Sequence, residues 1–406
     1  MTCQTIANCR ICSASDLEEL LFLGNQPLAN AVRKSVDQAE ETYPLTLAFC
    51  KACGLVQIKE TVAKSILFSH YVWVTGTSST AKQFADEFYR RIRKMGFLRD
   101  EDFVLEIASN DGTFLKPFQA GGFKVLGVDP AANIARMANQ ARIETVNAFW
   151  NPETAAEVVT RHGNPRFVFA RNVIAHVSDL HDVVSGLGDC LDEAGVGAVE
   201  FHYAEEILQG LQYDSIYHEH LCYYSVRSIA NLLIRHNLQP FHVEFSPISG
   251  GAVIVFFSKG SRPETKAWED INRRETKSGI NSVVAWRAFA DRCRRHRDQS
   301  REQLSVYHQT NVIGFGASAR SSTYLNFCGF TTADIQMIID NNPIKQGFYA
   351  PGSTIPIVPM DRGLAADPHL IFILAWNFKD ELVKLCRKHG YTGLFLVPFP
   401  NEPYLL

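Results

Sequence analysis

The sequence predicts an α/β protein in which a small cysteine-containing domain precedes two parallel sheets, each with helices on its faces. Short apolar runs alternate with helical segments from about residue 103, and the alternation restarts near residue 311. A charged helical stretch separates the two series, and four paired cysteines precede the first of them. These observations predict three domains, over residues 1–80, 81–262 and 263–406.

Composition indicates an ordinary globular chain and excludes several classes of protein. Of its 406 residues, 46% are hydrophobic and 20% are charged, and the net charge of -3 gives no basic surface for nucleic-acid phosphates. No apolar run approaches the ~20 residues that span a bilayer, and the first ten residues do not resemble a secretory signal. We therefore expect a cytoplasmic protein with neither a nucleic-acid nor a membrane partner; no feature indicates its oligomeric state.

Two Cys-x-x-Cys pairs, Cys9 with Cys12 and Cys50 with Cys53, stand 37 residues apart in the first domain. Each pair places two thiolates on one side of a tight turn, and two such turns complete the tetrahedral sulfur shell of a closed zinc site. The alternative is a redox motif or two unrelated pairs, but no βα unit surrounds either pair. We predict one structural Zn²⁺, needed because this turn-rich region is too poor in apolar residues to fold alone.

A polar loop follows the first strand of the second domain. Glu106 ends that strand, and Gly112 allows a tight turn before the next helix. Asp129 ends the following strand, where a carboxylate at the sheet edge can accept both hydroxyls of a ribose. The loop has one glycine instead of three and so gives no pyrophosphate cradle, which disfavours a dinucleotide. The loop therefore predicts a ribose-bearing cofactor, with a plain polar sheet edge as the alternative.

The second domain ends in two β-rich runs, Pro240–Phe245 and Ala252–Phe257, which predict an antiparallel hairpin. A parallel sheet with an antiparallel hairpin at one edge is typical of class I S-adenosylmethionine (SAM) methyltransferases. The predicted fold is therefore α/β, with an N-terminal zinc-binding domain, a central Rossmann-like methyltransferase domain and a C-terminal Rossmann-like domain.

Candidate catalytic groups crowd the segment Tyr217–Tyr224, which holds two histidines, a glutamate and three tyrosines. The segment follows a strand, on the carboxyl side where α/β sites lie, and a histidine beside a carboxylate can serve as a base near neutral pH. His176 also follows a strand and should face the same cleft. The alternatives are a second metal site at His218 and His220, or ordinary structural imidazoles.

Five motifs occur together and in one order along the chain, with the two cysteine pairs counted as one. They are the two cysteine pairs and the segments Leu23–Ala29, Glu106–Gly112, Tyr217–His220 and Ala375–Phe378. In this combination the chain resembles the sugar C-methyltransferases over essentially its whole length. The resemblance implies a SAM donor, a structural Zn²⁺ and a nucleoside-diphosphate 4-keto-deoxysugar substrate held partly by the C-terminal domain. It also implies methyl transfer to a carbon beside the ketone, which is C3 in the best-known members.

The motifs and the resemblance together give the candidate site residues, and His220 matches the general base of the family. The candidate catalytic residues are Tyr71, His176, Tyr217, Glu219 and His220. The candidate donor-binding residues are Glu106, Asn110, Asp111, Gly112, Asp129, Pro130 and Asn172. The candidate substrate-binding residues are Gly314, Gly316, Arg320, Asn342, Lys345, Trp376 and Asn377. The candidate zinc ligands are Cys9, Cys12, Cys50 and Cys53.

The sequence departs from the family pattern in two places. The hairpin turn carries Ser249 where the family usually has histidine, which removes an imidazole near the expected sugar site. The C-terminal glycine-rich turn is followed by Arg320 where the family has lysine, which keeps the positive charge but changes its hydrogen-bonding geometry. We expect the turn from Gly314 to Gly316 to offer free amides, and Arg320 a cation, to the diphosphate.

The expected reaction is methylation of a carbanion. A ketone at C4 acidifies the hydrogen on C3 or C5, a base removes that hydrogen, and the enolate carbon attacks the sulfonium methyl group. Two rival functions stay open: an NAD-dependent oxidoreductase that uses the segment Ile313–Ala317 with Asp340, and a non-catalytic donor-binding protein. The first rival is tested by identifying the bound cofactor, which is S-adenosylhomocysteine in a methyltransferase and a nicotinamide nucleotide in an oxidoreductase. A methyl-transfer assay tests the second rival.

Overall fold

The structure is a computed structural model that describes residues 2–67, 74–246 and 251–406. Two residues discussed above, Tyr71 and Ser249, lie outside these ranges. Within the described ranges, no helix is both long and apolar enough to cross a membrane.

The N-terminal domain is built on antiparallel strands. Its strands are β1 (Cys3–Thr5), β2 (Leu17–Pro27), β3 (Thr42–Cys50), β4 (Val56–Ile58) and β5 (Glu60–Val62). Strands β2, β3 and β4 form one sheet, and β1 pairs with β5. A strand from much later in the chain, β11 (Cys222–Tyr223), joins this sheet by pairing with β4. The N-terminal sheet therefore includes part of the candidate catalytic segment Tyr217–Tyr224.

The expectation that this region is turn-rich and poor in apolar residues is wrong. β2 and β3 are long strands, and Leu21, Leu45 and Leu47 on them are buried in a continuous apolar core. Two register irregularities interrupt the β2–β3 ladder, so the inward-facing positions do not keep a simple period of two. The sequence therefore lacks the regular alternation of apolar and polar residues by which strands are predicted. Any bound zinc stabilises a domain that already has an apolar core.

The four paired cysteines converge beside this sheet. Their sulfur atoms all lie within 4.8 Å of one another. The Sγ atoms of Cys9 and Cys53 are 3.5 Å apart, and those of Cys12 and Cys50 are also 3.5 Å apart. The amide of Gly54 donates to the carbonyl of Cys50 at 2.8 Å, which closes the second turn. The two pairs thus form one four-sulfur cluster, as the spacing predicts.

The geometry of these sulfurs fits Zn²⁺. Four thiolates at ~2.3 Å from a tetrahedral ion stand about 3.8 Å apart, which is close to the observed spacing. A hydrogen bond from the thiol of Cys53 lowers the pKa of Cys9, whereas the same bond raises the pKa of Cys53 and burial raises that of Cys50, so without metal one thiolate is favoured. Zn²⁺ bound by all four sulfurs would fasten the β3–β4 turn to the segment before β2, which stabilises the domain.

A helical segment leads from this domain to the central sheet. It comprises α1 (Lys64–Leu67), a 3₁₀ turn (Thr75–Thr77) and α2 (Ser79–Lys94). The side chain of Ser78 caps α2 by accepting from the amide of Ala81. Phe84, Phe88 and Ile92 recur at helical spacing along α2, and all three are buried.

The central domain contains a seven-stranded sheet in the described residues. Its strands are β6 (Phe103–Ile107), β7 (Lys124–Val128), β8 (Thr145–Val146), β9 (Phe167–Arg171), β10 (Val196–His202), β12 (Gln239–Ser246) and β13 (Ala252–Ser258). The order is β12-β13-β10-β9-β6-β7-β8, and β13 alone of these strands runs antiparallel to the rest. This is the predicted parallel sheet with an edge hairpin, so the class I methyltransferase fold is confirmed.

Helices follow most of these strands. They are α3 (Lys116–Ala120), α4 (Ala132–Gln140), α5 (Pro152–His162), α6 (Leu180–Cys190), α7 (Ala204–Gln209) and α8 (Val226–Ile234), with 3₁₀ turns at Ile174–His176 and Tyr213–Ser215. Neighbouring residues of β6 belong to different buried clusters, Val104 to one and Leu105 to the other, so both faces of the sheet are covered. Because the strands are parallel, the loops after β6, β7, β9 and β10 all leave from one edge.

The C-terminal domain is a second, smaller α/β unit. Helices α9 (Lys266–Ser278) and α10 (Val283–Ser305) lead into β14 (Val312–Phe315), α11 (Ala319–Cys328), β15 (Ile338–Ile339), β16 (Ile357–Val358), α12 (Met360–Ala365), β17 (Leu370–Ile373), α13 (Lys379–Lys388), β18 (Leu394–Val397) and β19 (Tyr404–Leu405). The sheet order is β16-β15-β14-β17-β18-β19, with β19 antiparallel. Glu275 of α9 accepts from the amides of Val226 and Arg227, so α9 packs on the central domain. The domain limits stay a prediction.

We predict that Cys50→Ser removes bound zinc and destabilises the N-terminal domain by several kcal/mol as an order of magnitude, because metal binding and folding are coupled. Metal analysis should give one Zn²⁺ per wild-type chain and less for the variant, and thermal unfolding should begin at a lower temperature. The control is Cys3→Ser, which lies outside the four-sulfur cluster and should keep both properties. Full zinc content and full stability in Cys50→Ser would contradict the assignment.

Candidate active site

Asp129 organises the predicted donor edge of the central sheet. It follows β7 directly, and its carboxylate accepts the amides of Asn110 and Ala131, each at 2.9 Å. Burial raises the pKa of Asp129, and the two amide bonds oppose that shift. Each carboxylate oxygen keeps another lone pair, so the group can still accept two hydroxyls. The geometry therefore suits the ribose of a nucleoside cofactor.

The loop after β6 folds tightly against this carboxylate. Ala108, Asn110 and Gly112 have positive φ angles of 51°, 51° and 75°. A Cβ on Gly112 would approach the side chain of Ile143 to 2.7 Å, so both backbone conformation and space call for glycine there. The predicted donor residues Asn110, Asp111 and Gly112 consequently lie together beside Asp129.

Two residues that we did not single out from the sequence close over this loop. The amide of Thr75 donates to Asn110 Oδ1 at 2.8 Å, and the amide of Gly76 donates to Asp111 Oδ2 at 3.2 Å. A Cβ on Gly76 would collide with that carboxylate. The available signal was the run of small residues 75–79 at the start of a helix, where backbone amides commonly meet polar side chains.

A buried charge cluster lies at the carboxyl ends of β6, β9 and β10. Glu106 and Glu200 are 3% and 1% exposed, and Arg171 donates to the carboxylate of Glu200. The guanidinium carbon of Arg171 also lies 3.2 Å from the centre of the Phe114 ring. Burial raises the pKa of Glu106 well above its ordinary value, and its Oε2 has no hydrogen-bond partner among the described residues. A buried carboxyl with such an oxygen can still accept a hydrogen bond from an N–H donor.

His220 is oriented by hydrogen bonds at both ring nitrogens. Its Nδ1 lies 2.9 Å from the carbonyl oxygen of Ser215, and its Nε2 lies 2.9 Å from the hydroxyl of Tyr217. A carbonyl oxygen only accepts, so Nδ1 carries the hydrogen and Nε2 is the unprotonated nitrogen to which Tyr217 donates. Nε2 is therefore the atom of this imidazole that can receive a further proton.

His176 and Glu219 stand beside this pair. The ring of His176 meets that of His220 edge-on with centroids 4.7 Å apart, and its Nδ1 donates to the carbonyl of Glu219 at 2.7 Å. The Glu219 carboxylate accepts from the side chain of Asn30 at 2.7 Å, which ties the catalytic segment to the N-terminal domain. Of the five predicted catalytic residues, four come together, while Tyr71 lies outside the described residues.

The alternative of a second metal site is wrong. His218 is buried and its Nε2 lies 3.0 Å from the carbonyl of Pro44, so it serves the N-terminal domain and not the cleft. In the part of the chain that the structure describes, the metal-binding cluster is that of the four cysteines.

Burial removes the charge from the imidazoles of this cleft. It lowers the pKa of His220 well below the ordinary value of about 6.5, with a further lowering by His176, and it lowers the pKa of His176 to about 4. His202, which ends β10 and which we did not assign from the sequence, acts on the same shift of His220. Burial lowers the pKa of His202 to about 3, and its Nε2 has no partner among the described residues. Its position at a strand end was the available signal.

A second, narrow cleft lies between the N-terminal and C-terminal domains. Asn30 lines it from the N-terminal side, and Ser318 and Lys345 line it from the C-terminal side. Because Asn30 also donates to Glu219, this cleft adjoins the catalytic segment. A ligand in it could therefore place its far end near the imidazoles.

The C-terminal sheet repeats the arrangement seen at Asp129. Asp340 follows β15 and accepts the amides of Ala317 and Asn342, each at 2.8 Å. The ammonium of Lys345 donates to the carbonyl of Ala317 at 2.7 Å, which holds this cation beside the loop after β14. The same edge of the second sheet thus combines a carboxylate, a cation and the start of α11.

The expectation of free amides at Gly314 and Gly316 is wrong. These amides donate to the carbonyls of Met337 and Ile339 at 2.8 Å, because they continue the contact between β14 and β15. Gly316, with a φ of 101°, is needed for packing, since a Cβ there would collide with Ala375 in the neighbouring loop. Binding of an anion at this edge would therefore need groups other than these two amides. Lys345, a predicted substrate-binding residue, is one such group.

Arg320 does not line the cleft, in contrast to our expectation. It forms two hydrogen bonds with the carboxylate of Asp214, at 2.9 and 2.8 Å, and a third with Gln212 at 3.0 Å. Trp376 donates to the same carboxylate at 2.8 Å, and the centre of its ring lies 4.9 Å from the guanidinium carbon. Arg320 and Trp376 therefore connect the C-terminal domain to the central domain.

The remaining predicted residues lie at the two sheet edges. Pro130 follows Asp129 in the donor loop, and the amide of Asn172 donates to the carbonyl of Glu200 at 2.9 Å. The side chain of Asn342 accepts a hydrogen bond from the amide of Ile344 at 3.0 Å, so it stabilises the loop after β15. Asn377 is exposed in the 3₁₀ turn Trp376–Phe378.

Three family models match the chain and together span most of it. They are a zinc binding domain over residues 9–68, a methyltransferase domain over residues 80–243 and a C-methyltransferase C-terminal domain over residues 247–400. The chain is also 33% identical, over 410 residues, to the C-methyltransferase NovU of Streptomyces niveus. That match covers 99% of this chain and 97% of the relative.

Solved structures align less fully. The magnesium protoporphyrin IX methyltransferase of Synechocystis PCC 6803 with bound SAM is 12% identical, with a TM-score of 0.34, over 45% of this chain and 80% of that chain. A SAM-dependent methyltransferase from Clostridium acetobutylicum is 11% identical, with a TM-score of 0.36, over 49% and 96%. At these values the likeness carries no argument. The family models and the full-length relative show that the chain belongs to the C-methyltransferase family and is a SAM-dependent enzyme with an N-terminal zinc-binding domain.

Proposed function

We propose that this enzyme methylates C3, beside the 4-keto group of a nucleoside-diphosphate deoxysugar. The observation that carries the proposal is the orientation of His220, whose unprotonated Nε2 is held near the carboxyl edge of the methyltransferase sheet. Such a base is needed because a sugar carbon becomes nucleophilic only when an adjacent ketone stabilises its carbanion. A ketone at C4 activates both C3 and C5 in this way, and we place the methyl group on C3 because the best-known members of the family that the chain resembles methylate that carbon.

The proton moves first in the proposed mechanism. His220 Nε2 takes the hydrogen from C3, and the electron pair of the broken C–H bond moves through the carbonyl to its oxygen. The hydroxyl of Tyr217 leaves Nε2 and becomes a donor to the substrate. SAM, when bound, supplies the methyl group, which C3 takes in line as the sulfonium becomes a thioether. Asp129 and the loop after β6 hold the donor for this transfer.

The position of the hydrogen on each neutral imidazole decides which ring nitrogen can donate to the substrate and which can accept from it. His176 uses its Nδ1 hydrogen on the carbonyl of Glu219, so its Nε2 is a hydrogen-bond acceptor in the neutral ring. Tyr217 donates, and the buried Nε2 of His202 is a further candidate donor to the enolate oxygen. A neutral donor in a dry site stabilises developing negative charge without holding a permanent charge against it.

The cleft between Asn30 and Lys345 is the proposed nucleotide site. Lys345 supplies a positive charge for the diphosphate, and Ser318 caps α11, whose N-terminus also favours an anion. The hydrogen bond from Asn30 to Glu219 supports this placement, since it joins the nucleotide cleft to the catalytic segment. A nucleotide held there would direct its sugar toward His220.

The rival NAD hypothesis gains no support. A pyrophosphate cradle needs free amides in the glycine-rich turn, whereas the amides of Gly314 and Gly316 are bonded to a neighbouring strand. The C-terminal region also matches a C-methyltransferase domain over residues 247–400.

We expect Asp129→Ala to weaken SAM binding more than it slows the chemical step. Hydrogen bonds to a charged acceptor are worth ~1.5–3 kcal/mol each, and two ribose hydroxyls would lose theirs. Calorimetry measures the affinity, and single-turnover methylation at saturating donor measures the step. The matched control is Asp340→Ala, which removes the same two-amide carboxylate from the C-terminal sheet and should leave donor affinity unchanged. Wild-type donor affinity in Asp129→Ala would refute the assignment.

We expect His220→Asn to abolish proton removal and methylation together. In deuterated water with S-adenosylhomocysteine bound, the wild-type enzyme should exchange the hydrogen beside the ketone of the sugar substrate. Asparagine keeps the approximate shape but cannot take a proton at neutral pH, so both rates should fall by ~10²–10⁴-fold or more. NMR measures the exchange and also locates the new methyl group in the product.

Tyr217→Phe is the control, because it deletes one hydrogen bond and keeps the base, and its loss should be smaller. An equal loss of exchange in Tyr217→Phe would move the base to the Tyr217 hydroxyl. Wild-type methylation in His220→Asn would reject His220 altogether.

We expect kcat to stay level as pH falls through 6.5. Burial, with further contributions from His176, His202 and Arg320, lowers the pKa of His220, so its neutral form persists below the pH at which an exposed imidazole gains a proton. Activity should decline only as pH approaches that lowered value. A pH profile of kcat, with folding checked by circular dichroism at each pH, measures this. An acid limb at or above pH 6.5 would contradict the prediction.

A further inference from the structure

We propose that Asp214, Arg320 and Trp376 form a clamp that positions the general base, and that Arg320 is a positioning residue and not a phosphate ligand. The proposal rests on the assignment of His220 as base. Its structural basis is the 3₁₀ turn Tyr213–Ser215, whose three consecutive residues each bind a different part of the molecule.

The first residue of the turn is fixed to helix α10 of the C-terminal domain. The hydroxyl of Tyr213 lies 2.8 Å from His296 Nδ1 on α10, and His296 Nε2 lies 2.7 Å from the carbonyl of Pro398. Because that carbonyl only accepts, Nε2 carries the hydrogen, and Nδ1 accepts from Tyr213. The rings of Phe327 and Phe399 pack on Tyr213 with centroids 5.3 and 5.2 Å away. One end of the turn is thus locked against α10 and the C-terminal domain.

The second residue of the turn is held by the clamp itself. The side chain of Asp214 is 1% exposed and that of Arg320 is 16% exposed, so water screens this ion pair little. Both carboxylate oxygens accept from the guanidinium, and one also accepts from Trp376. A buried ion pair recovers its desolvation cost only in good geometry, so it favours one orientation more than it favours tight association.

The third residue of the turn reaches the base. The carbonyl of Ser215 accepts the Nδ1 hydrogen of His220 at 2.9 Å, which is the bond that leaves Nε2 unprotonated. Ser215 adjoins Asp214 in a single helical turn, so a shift of one displaces the other. The tautomer of the base therefore depends on a side chain of the C-terminal domain that lies 106 residues away from Asp214 in sequence.

This arrangement explains why Arg320 does not line the nucleotide cleft. Its ring-stacked guanidinium already has a bidentate partner and a third acceptor in Gln212, whereas Lys345 has its ammonium in the cleft wall. Arg320 and Lys345 are thus two cations of one domain with different tasks, and each provides the control for the other.

The test uses zinc-loaded, full-length enzyme with S-adenosylhomocysteine and ¹⁵N-labelled histidine. Long-range ¹H–¹⁵N spectra report the tautomer of each ring, and His220→Asn identifies the His220 signals. We expect one Nδ1–H tautomer in wild type, and a mixture in Arg320→Lys, which keeps the charge but loses the bidentate bond. Trp376→Phe, which removes a single donor and keeps an aromatic ring, should shift the signals in the same direction by less.

Kinetics then give the functional readout. A displacement of about 1 Å at a catalytic group can cost ~10²-fold, so hydrogen exchange beside the ketone and kcat should fall together by 10- to 100-fold in Arg320→Lys. KM for the nucleotide sugar, and the affinity for inorganic pyrophosphate as a probe, should change little. Lys345→Ala should do the reverse, with a raised KM, weakened pyrophosphate binding and an unchanged His220 tautomer.

Three outcomes decide between the ideas. An unchanged His220 tautomer in both Arg320→Lys and Trp376→Phe overturns the clamp, whatever the kinetics. Weakened pyrophosphate binding in Arg320→Lys with normal exchange assigns Arg320 to phosphate and also overturns it. A changed tautomer with wild-type exchange keeps the structural link but rejects His220 as the base, which is a failure of the proposed function and not of the clamp's geometry.

Discussion

One carboxylate that accepts two backbone amides organises each of the two parallel sheets. Asp129 joins the loop after β6 to the start of α4, and Asp340 joins the loop after β14 to its own following turn. Without such an acceptor, loops leaving adjacent strands would present unpaired amides at a crowded sheet edge. Each carboxylate also keeps oxygen lone pairs for a ligand at the carboxyl edge of its own sheet, which is where parallel sheets bind ligands. The predicted donor edge and the proposed nucleotide cleft are therefore both built on a carboxylate that satisfies two backbone amides.

The catalytic segment is held by all three domains. The turn Tyr213–Ser215, which precedes the segment Tyr217–Tyr224, bonds to the C-terminal domain, and β11 within the segment pairs with β4 of the N-terminal sheet. In between, the amide of Leu221 donates to the carbonyl of Ala175 on the central domain at 2.7 Å. The imidazoles thus sit on a short stretch fixed at both ends, which suits groups whose geometry must not vary.

The features that the sequence predicted are those set by local pattern. The alternation of strands and helices, the cysteine spacing and the strand-end position of Asp129 are readable because each depends on a few neighbouring residues. Arg320 and Gly316 were misjudged because their roles come from partners far along the chain, Asp214 in one case and Ala375 in the other. A glycine that is required by packing and a glycine that is required by an anion look alike in a sequence. His202 was passed over for a similar reason, since only the folded structure shows that its Nε2 has no partner among the described residues.

The pairing of β11 with β4 bears on how such enzymes can be recombined. Cys222 and Tyr223 belong by sequence to the central region, yet by hydrogen bonding they are part of the sheet of the N-terminal domain. Cutting the chain at residue 80 and grafting another N-terminal domain would leave this short strand facing a foreign edge. A chimaera that exchanged substrate-binding regions between relatives would therefore have to carry the strand and its partner together. In this architecture the transferable unit is a set of contacts that crosses the domain limits, and it is not a continuous stretch of chain.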